Sequence, residues 1–170
     1  KDEKNEVVQG ILHYRVSDEN SGPFQTATML DDGYNCDTEA GDGIFGFMLP
    51  PQPTGTVIEF YIESSDSTDT RTWPAPASNG QTANALIQID DEINDDDHAF
   101  YRIIMPVPEL NQWRGISRQS NAMMNATVIL NDGSGPKIRY LAGMRVRGAG
   151  SRNYTPVPML VTLPRDNEWN

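Results

Sequence analysis

Polar and apolar positions alternate with a period of two over much of this chain. Residues 56–63 (TVIEFYIE) are the cleanest case and are rich in β-branched and aromatic side chains. Such alternation sends successive side chains to opposite faces of a strand. Similar segments, separated by Asp, Gly, Pro and Ser clusters, cover residues 8–16, 24–30, 85–90, 100–105, 126–130, 137–147 and 157–163. The pattern predicts a mostly β protein, an N-terminal antiparallel β-sandwich followed by a smaller β-rich domain.

Three segments depart from simple alternation. Residues 44–49 (IFGFML) form a short apolar run that ends at Pro50-Pro51. Residues 108–118 begin with a proline and place Leu110 and Trp113 on one helical face, which predicts at most one short helix. The triplet Asn131-Asp132-Gly133 predicts a hairpin between the strands on either side of it.

The charge divides the chain into two unlike parts. The 170 residues carry 13 basic and 24 acidic side chains, a net charge of -11. Residues 1–100 hold four basic and twenty acidic side chains, a net of -16, whereas residues 101–170 hold nine and four, a net of +5. The acidic run 90–97 lies between two apolar stretches and is typical of a linker. We therefore predict domains at 1–95 and 96–170.

Composition also excludes several classes of protein. The negative net charge argues against a nucleic-acid partner, because a nucleic-acid binder replaces counterions with basic side chains. No apolar run approaches the roughly 20 residues of a membrane span, so we expect no membrane insertion. The single Cys36 excludes a disulfide framework, and we expect a partly buried free thiol. The sequence begins at Lys1 without a basic and apolar leader, and we expect an extracellular or cell-surface protein from which a signal segment has been removed.

The segment 31–43 is the first candidate site. It holds five carboxylates, those of Asp31, Asp32, Asp37, Glu39 and Asp42. Calcium prefers six to eight oxygen ligands, which an acidic loop supplies, although the spacing is not that of an EF-hand. The alternative is a turn in which Asp side chains bond the nearby backbone. Both interpretations remain open, so we expect no required cofactor and calcium as the candidate ion.

A second candidate lies at 145–152. A glycine-rich turn with flanking arginines suits an anion or a nucleotide phosphate, and its residues are Arg145, Arg147, Gly148, Gly150, Ser151 and Arg152. It is neither a Walker A sequence nor a full G-x-G-x-x-G, and the alternative is a tight turn with structural arginines. Asn125 and Asn153 begin N-x-[ST] sequons and are candidate glycosylation sites. His13 and His98 lie in no nucleophile motif, and we predict no catalytic residues.

Two groups of motifs resemble known families. The first group is 14–16 (YRV), 29–33 (MLDDG), 40–45 (AGDGIF) and 55–62 (GTVIEFYI), and it resembles the Ig-like module that precedes the CotH-like domain of large secreted bacterial proteins. The second is 101–105 (YRIIM), Asn131-Asp132 and 144–152 (MRVRGAGSR), which resembles the opening of the CotH-like, or spore-coat kinase-like, domain itself. The resemblance implies an Ig-like sandwich followed by the N-terminal part of that domain. The family's catalytic lysine has no counterpart in 157–163, so the resemblance does not imply activity in this chain.

Two functions from different classes follow. The favoured one is a non-catalytic extracellular or cell-surface structural module that self-associates head to tail through its terminal strands, 5–16 and 157–163, as a β-strand-linked filament subunit. The alternative is the N-terminal fragment of a CotH-like atypical protein kinase that binds ATP and a divalent metal.

Overall fold

The computed structural model describes residues 8–80, 82–90 and 99–164. Within them, nine strands form two antiparallel sheets, with one α-helix and one short 3₁₀ helix, Gly150–Asn153. The first sheet contains β1 (Gln9–Val16), β2 (Gln25–Met29), β3 (Val57–Ser65), β4 (Thr70–Trp73) and β5 (Ala85–Gln88). The second contains β6 (Phe100–Ile104), β7 (Met124–Asn131), β8 (Pro136–Val146) and β9 (Met159–Thr162), and α1 (Val107–Gly115) follows β6.

The first sheet has the order β2-β1-β3-β4, and β5 pairs with the other end of β3. Leu12, Tyr14 and Ile58 point to one face and form its buried core. The predicted apolar run 44–49 forms no strand, and a single backbone bridge between Leu30 and Gly46 pairs it with the chain at the end of β2. Phe47 and Leu49 from this run pack against the core, so the run acts as a cover for the sheet.

The second sheet has the order β6-β7-β8-β9. Its core consists of Met105, Met124, Ala126, Val128, Ala142 and Met144. Leu110 and Trp113 of α1 pack against this core, as the helical spacing predicted. The helix ends at Gly115, three residues before the predicted end, because the backbone of Ile116 is extended.

A β-bulge in the second sheet places the Tyr140 side chain against the first sheet. Two residues of β8, Tyr140 and Leu141, lie opposite the single Thr127 of β7, and Leu141 takes a positive φ of 58°. The Tyr140 ring then packs edge-on against Phe60 and Trp73, with centroids 5.9 and 5.6 Å away. Because a bulge re-aims side chains, this irregularity contributes directly to the contact between the sheets.

Polar bonds complete the contact between the two sheets. The Thr127 hydroxyl accepts a hydrogen bond from the backbone N–H of Leu86 in β5 at 3.3 Å, and Thr127 is 1% exposed. The buried hydroxyl of Ser17 accepts the backbone N–H of Val107, at the start of α1, at 2.9 Å. Buried polar groups of this kind are costly to separate, because each bond has no water to replace it.

The mostly β class and the single short α-helix are confirmed. The hairpin at Asn131-Asp132-Gly133 is also confirmed, since β7 and β8 pair on either side of it. The sequence pattern missed β4, a polar strand of four residues. The predicted boundary at residue 95 lies outside the described residues. Each predicted half contains one of the sheets, and the Ig-like form of the first half stays a prediction.

Candidate functional site

Three of the five predicted calcium ligands converge in the segment 31–43, the acidic loop. Carboxylate oxygens of Asp31, Asp37 and Asp42 lie within 4.8 Å of one another. Asp37 is 6% exposed, whereas Asp42 faces solvent. Asp32 and Glu39 are not members of this cluster. The loop therefore gathers a smaller carboxylate set than the sequence suggested.

The same carboxylates also fold the loop. Asp31 accepts the backbone N–H groups of Gly41 at 2.5 Å and Gly43 at 2.9 Å, and Asp37 accepts that of Gly33 at 2.7 Å. These bonds are the turn interactions that the alternative interpretation predicted. Each carboxylate has several lone-pair positions, so the turn bonds leave acceptor capacity for a cation.

Gly46 closes the acidic loop against the first sheet. A Cβ at this position would collide with the carbonyl of Asn35 and lie 2.8 Å from the amide of Asp37.

Between these two residues, Cys36 is a free thiol with a positive φ of 72°. Cys36 is exposed, so the expectation of a partly buried thiol is wrong.

Arg152 is the buried arginine of the predicted anion loop, and its side chain points inward. Its guanidinium donates to the carbonyls of Gly148, Arg118 and Ser120 and to the Asn121 side chain, and the residue is 8% exposed. The guanidinium donates to three backbone carbonyls and one side-chain amide of the same chain, so Arg152 stabilises the fold. We call this set of hydrogen bonds the Arg152 clamp. This matches the structural-arginine alternative, although the partners are carbonyls and an amide rather than the expected acidic neighbours.

The remaining residues of that loop surround the clamp. Gly148 has a positive φ of 95°, and a Cβ there would collide with the Ser151 hydroxyl. Gly150 begins the 3₁₀ helix. The Arg145 guanidinium reaches the Val146 carbonyl at 3.2 Å, whereas Arg147 is exposed. Arg147 is therefore the cation that the loop presents to solvent most openly.

The two sequons differ in their surroundings. Asn153 is exposed at the end of the 3₁₀ helix. Asn125 is half-buried, its side-chain amide donates to the Asn84 carbonyl at 2.8 Å, and Thr127 of the same sequon is buried. Only Asn153 offers a free amide in the folded chain as described.

A carboxylate network lies between the sheets. Glu59 of β3 is 4% exposed and accepts from the Arg15 guanidinium at 2.8 Å and from Asn84 at 3.2 Å. Glu109 of α1 accepts the Asn125 backbone N–H at 2.5 Å. Burial raises the pKa of Glu109, its bond to Asn125 partly opposes this, and the charge of Glu59 adds to the rise. The sequence did not single out these residues, because their partners come from distant segments.

Strand edges form the last candidate surface. β5 contacts the second sheet, while β2 and β4 are edges of the first sheet and β6 and β9 are edges of the second. Arg71 lies in β4 and Arg102 in β6, and charged side chains protect an edge against pairing. β2 (QTATM) and β9 (MLVT) contain no charge.

Comparison with protein-family models, curated proteins and solved structures finds no match for this chain. The resemblance to the Ig-like and CotH-like families stays a prediction. Among the described residues, none of the helices has the length and apolar character that crossing a bilayer requires.

Proposed function

We propose that this chain is a non-catalytic structural module of the extracellular space or cell surface, and that copies join end to end through strand edges. The observation that carries the proposal is the pair of uncharged edges, β2 and β9, one in each sheet. An edge without charge is a template for pairing with another chain.

The contacts between the two sheets support a structural role for the module. Rings, hydroxyl bonds and the ion pair between Arg102 and Asp90 join the two halves. Because these contacts join the two halves, the strand edges at the two ends of the module keep a fixed orientation relative to each other. The opposite net charges of residues 1–100 and 101–170 favour contacts between unlike ends of two copies.

The test is the assembly state of the unmodified chain. We expect light scattering and sedimentation to show a mass that rises with protein concentration, and electron microscopy to show linear assemblies. High salt should slow assembly by screening the charges, while formed strand pairs persist. A uniform monomer at high concentration in both low and high salt contradicts the proposal.

Calcium is a second proposal, favoured by the convergence of Asp31, Asp37 and Asp42. A cation at this position neutralises three carboxylates that otherwise repel one another, and it draws further oxygens from the loop backbone and water. The loop follows β2 directly, so a bound ion would stiffen the chain next to one of the free edges.

The calcium proposal is tested by thermal unfolding with calcium or with a chelator. Calcium at about ten times its dissociation constant stabilises a single-site protein by about 1.4 kcal/mol, or about 3 to 4 °C for a domain of this size. Asp31→Asn should abolish the shift. Asp32→Asn is the matched control, because Asp32 lies outside the cluster, and it should retain the shift. Equal melting temperatures with and without calcium in the unmodified chain contradict the site.

A further inference from the structure

The hydrogen-bond register shows which backbone groups of β2 face outward. Ser17 N donates to Val57 O, so the odd-numbered residues of β1 bond to β3 and the even-numbered ones bond to β2. Gln25, Ala27 and Met29 therefore bond inward to β1, and Thr26 and Thr28 point their N–H and C=O groups away from the sheet. Leu30 continues this outward series, since it exchanges both backbone bonds with Gly46.

The same argument applies to β9. Arg147 N donates to Pro158 O, so the even-numbered residues of this segment face β8, and Met159 and Val161 face outward. Pro156, Pro158 and Pro164 are all even-numbered. Of these, Pro158 lies opposite Arg147 in the ladder, so the N–H that it lacks would have faced β8. Pro156 and Pro164 lie outside the paired residues of β9, and the N–H groups of Met159 and Val161 on the outer edge are retained. In the part of the chain that the structure describes, no strand pairs with the outer edge of β9. On the outer edge of β2, the single bridge between Leu30 and Gly46 occupies the position after the strand, and no strand pairs with Thr26 or Thr28.

The charges beside the two edges are opposite. The acidic loop begins directly after β2, with Asp31 and Asp32. The exposed Arg147 lies opposite Pro158, just before β9. Parallel pairing of β2 with β2, or of β9 with β9, brings together ends of like charge. Antiparallel pairing of either strand with its own copy leaves each charged end opposite the uncharged end of the other strand. Pairing β2 with β9 joins unlike charges, and an antiparallel arrangement places Arg147 of one copy next to the acidic loop of the other.

We infer that the partner of the β2 edge is the β9 edge of a second copy of this chain. In the antiparallel register, Thr28 pairs with Met159 and Thr26 pairs with Val161, each pair exchanging two backbone hydrogen bonds. The contact joins two different surfaces, so it repeats from copy to copy and builds an open line. This inference rests on the proposed structural function and names the contact that performs it.

The experiment removes one outward donor from each edge. Thr28→Pro and Met159→Pro take away N–H groups that no neighbouring strand within the fold uses, and proline is tolerated where the N–H of an edge strand faces solvent. Each variant alone should stop at the monomer, or assemble only at a concentration at least about tenfold higher. An equimolar mixture should form dimers and nothing longer, because Thr28→Pro retains an intact β9 and Met159→Pro an intact β2.

The outcomes separate this contact from its alternatives. If Met159→Pro alone still dimerises, β2 pairs with itself and the inference is wrong; if Thr28→Pro alone does so, β9 pairs with itself. Assembly of both variants at the unmodified concentration shows that neither edge is used, although the module still self-associates. A monomeric unmodified chain overturns the proposed function itself.

A second measurement needs no variant. Backbone amide exchange of the unmodified chain should slow at Thr28 and Val161 when the protein is concentrated, because these amides then enter interstrand bonds. The amide of Ala27, which already bonds to β1, serves as the internal control and should change little. Equal exchange at Thr28 and Val161 in dilute and assembled samples overturns the inference. Circular dichroism and thermal unfolding confirm that the two proline variants are folded.

Discussion

At the scale of single residues, Arg152 lies in a sequence typical of an anion-binding loop, but its side chain stabilises the fold instead. An arginine in a glycine-rich turn suits a phosphate, but three of the acceptors of this guanidinium are backbone carbonyls of its own fold. Arg118 returns the contact by donating to the carbonyls of Arg152 and Tyr154 at 3.3 and 3.2 Å. The two arginines therefore join the segments 118–121 and 148–154 by hydrogen bonds in both directions.

Arg152→Ala should therefore destabilise the protein by about 2 to 3 kcal/mol, because it removes a buried side chain and the four hydrogen bonds that its guanidinium donates. Urea unfolding measures the change. Arg147→Ala, an exposed arginine of the same loop, is the matched control and should shift stability by less than about 0.5 kcal/mol. Equal effects of the two substitutions would show that Arg152 is not a clamp.

At the scale of elements, Glu109 joins α1 to β7 by accepting the Asn125 N–H, but burial of its carboxylate costs free energy when the group is ionised. The pKa of Glu109 is raised mainly by burial, so the folded state binds this proton more tightly than the unfolded chain does. The stabilising effect is complete below the unfolded pKa of about 4.3 and is lost as the pH rises through the folded value. At neutral pH the ionised carboxylate therefore weakens the packing of α1.

Glu109→Gln should remove this loss while its amide oxygen still accepts the Asn125 N–H. We expect the variant to exceed the original chain by about 0.5 kcal/mol at pH 7, a modest figure because water screens a half-exposed carboxyl. The difference should shrink towards pH 4, where Glu109 is protonated. Denaturant unfolding across this range checks the trend, with Glu19→Gln as the control. A difference that grows as the pH falls would contradict the assignment.

At the scale of the whole molecule, the two sheets depend on buried polar bonds that cross between them. The Ser17 hydroxyl follows β1 and bonds to the first turn of α1, joining segments 90 positions apart in the chain. Thr127 and Tyr140 make the other crossing contacts. Because these contacts tie each sheet to the other, we expect both to unfold in one transition.

Ser17→Ala tests this coupling. The substitution leaves the Val107 N–H without its partner, and we expect a loss of about 1 to 3 kcal/mol. Circular dichroism and tryptophan fluorescence should report the same midpoint in the original chain. Ser64→Ala, in an exposed position of β3, should cost less than about 0.5 kcal/mol. Two separate transitions in the unmodified chain would show that the sheets are independent.

The sequence by itself determined the short helix and every strand except β4. Alternation places β3 and β8 correctly, because half-buried strands need one apolar face, and Leu110 with Trp113 marks the face of α1 that packs on the second sheet. Composition also located the acidic loop, since the carboxylates that fold it are neighbours in sequence. Each of these features depends on residues that are close in sequence, so the order of residues along the chain is enough to predict it.

Only the tertiary structure decided how the pieces meet. The bulge opposite Thr127, the inward turn of Arg152 and the outward donors of β2 and β9 depend on register, which pairs residues far apart in the chain. A shift of one residue reverses the direction of every side chain and every backbone donor in a strand. Alternation shows which residues share a face, but the partner strand decides which edge stays free.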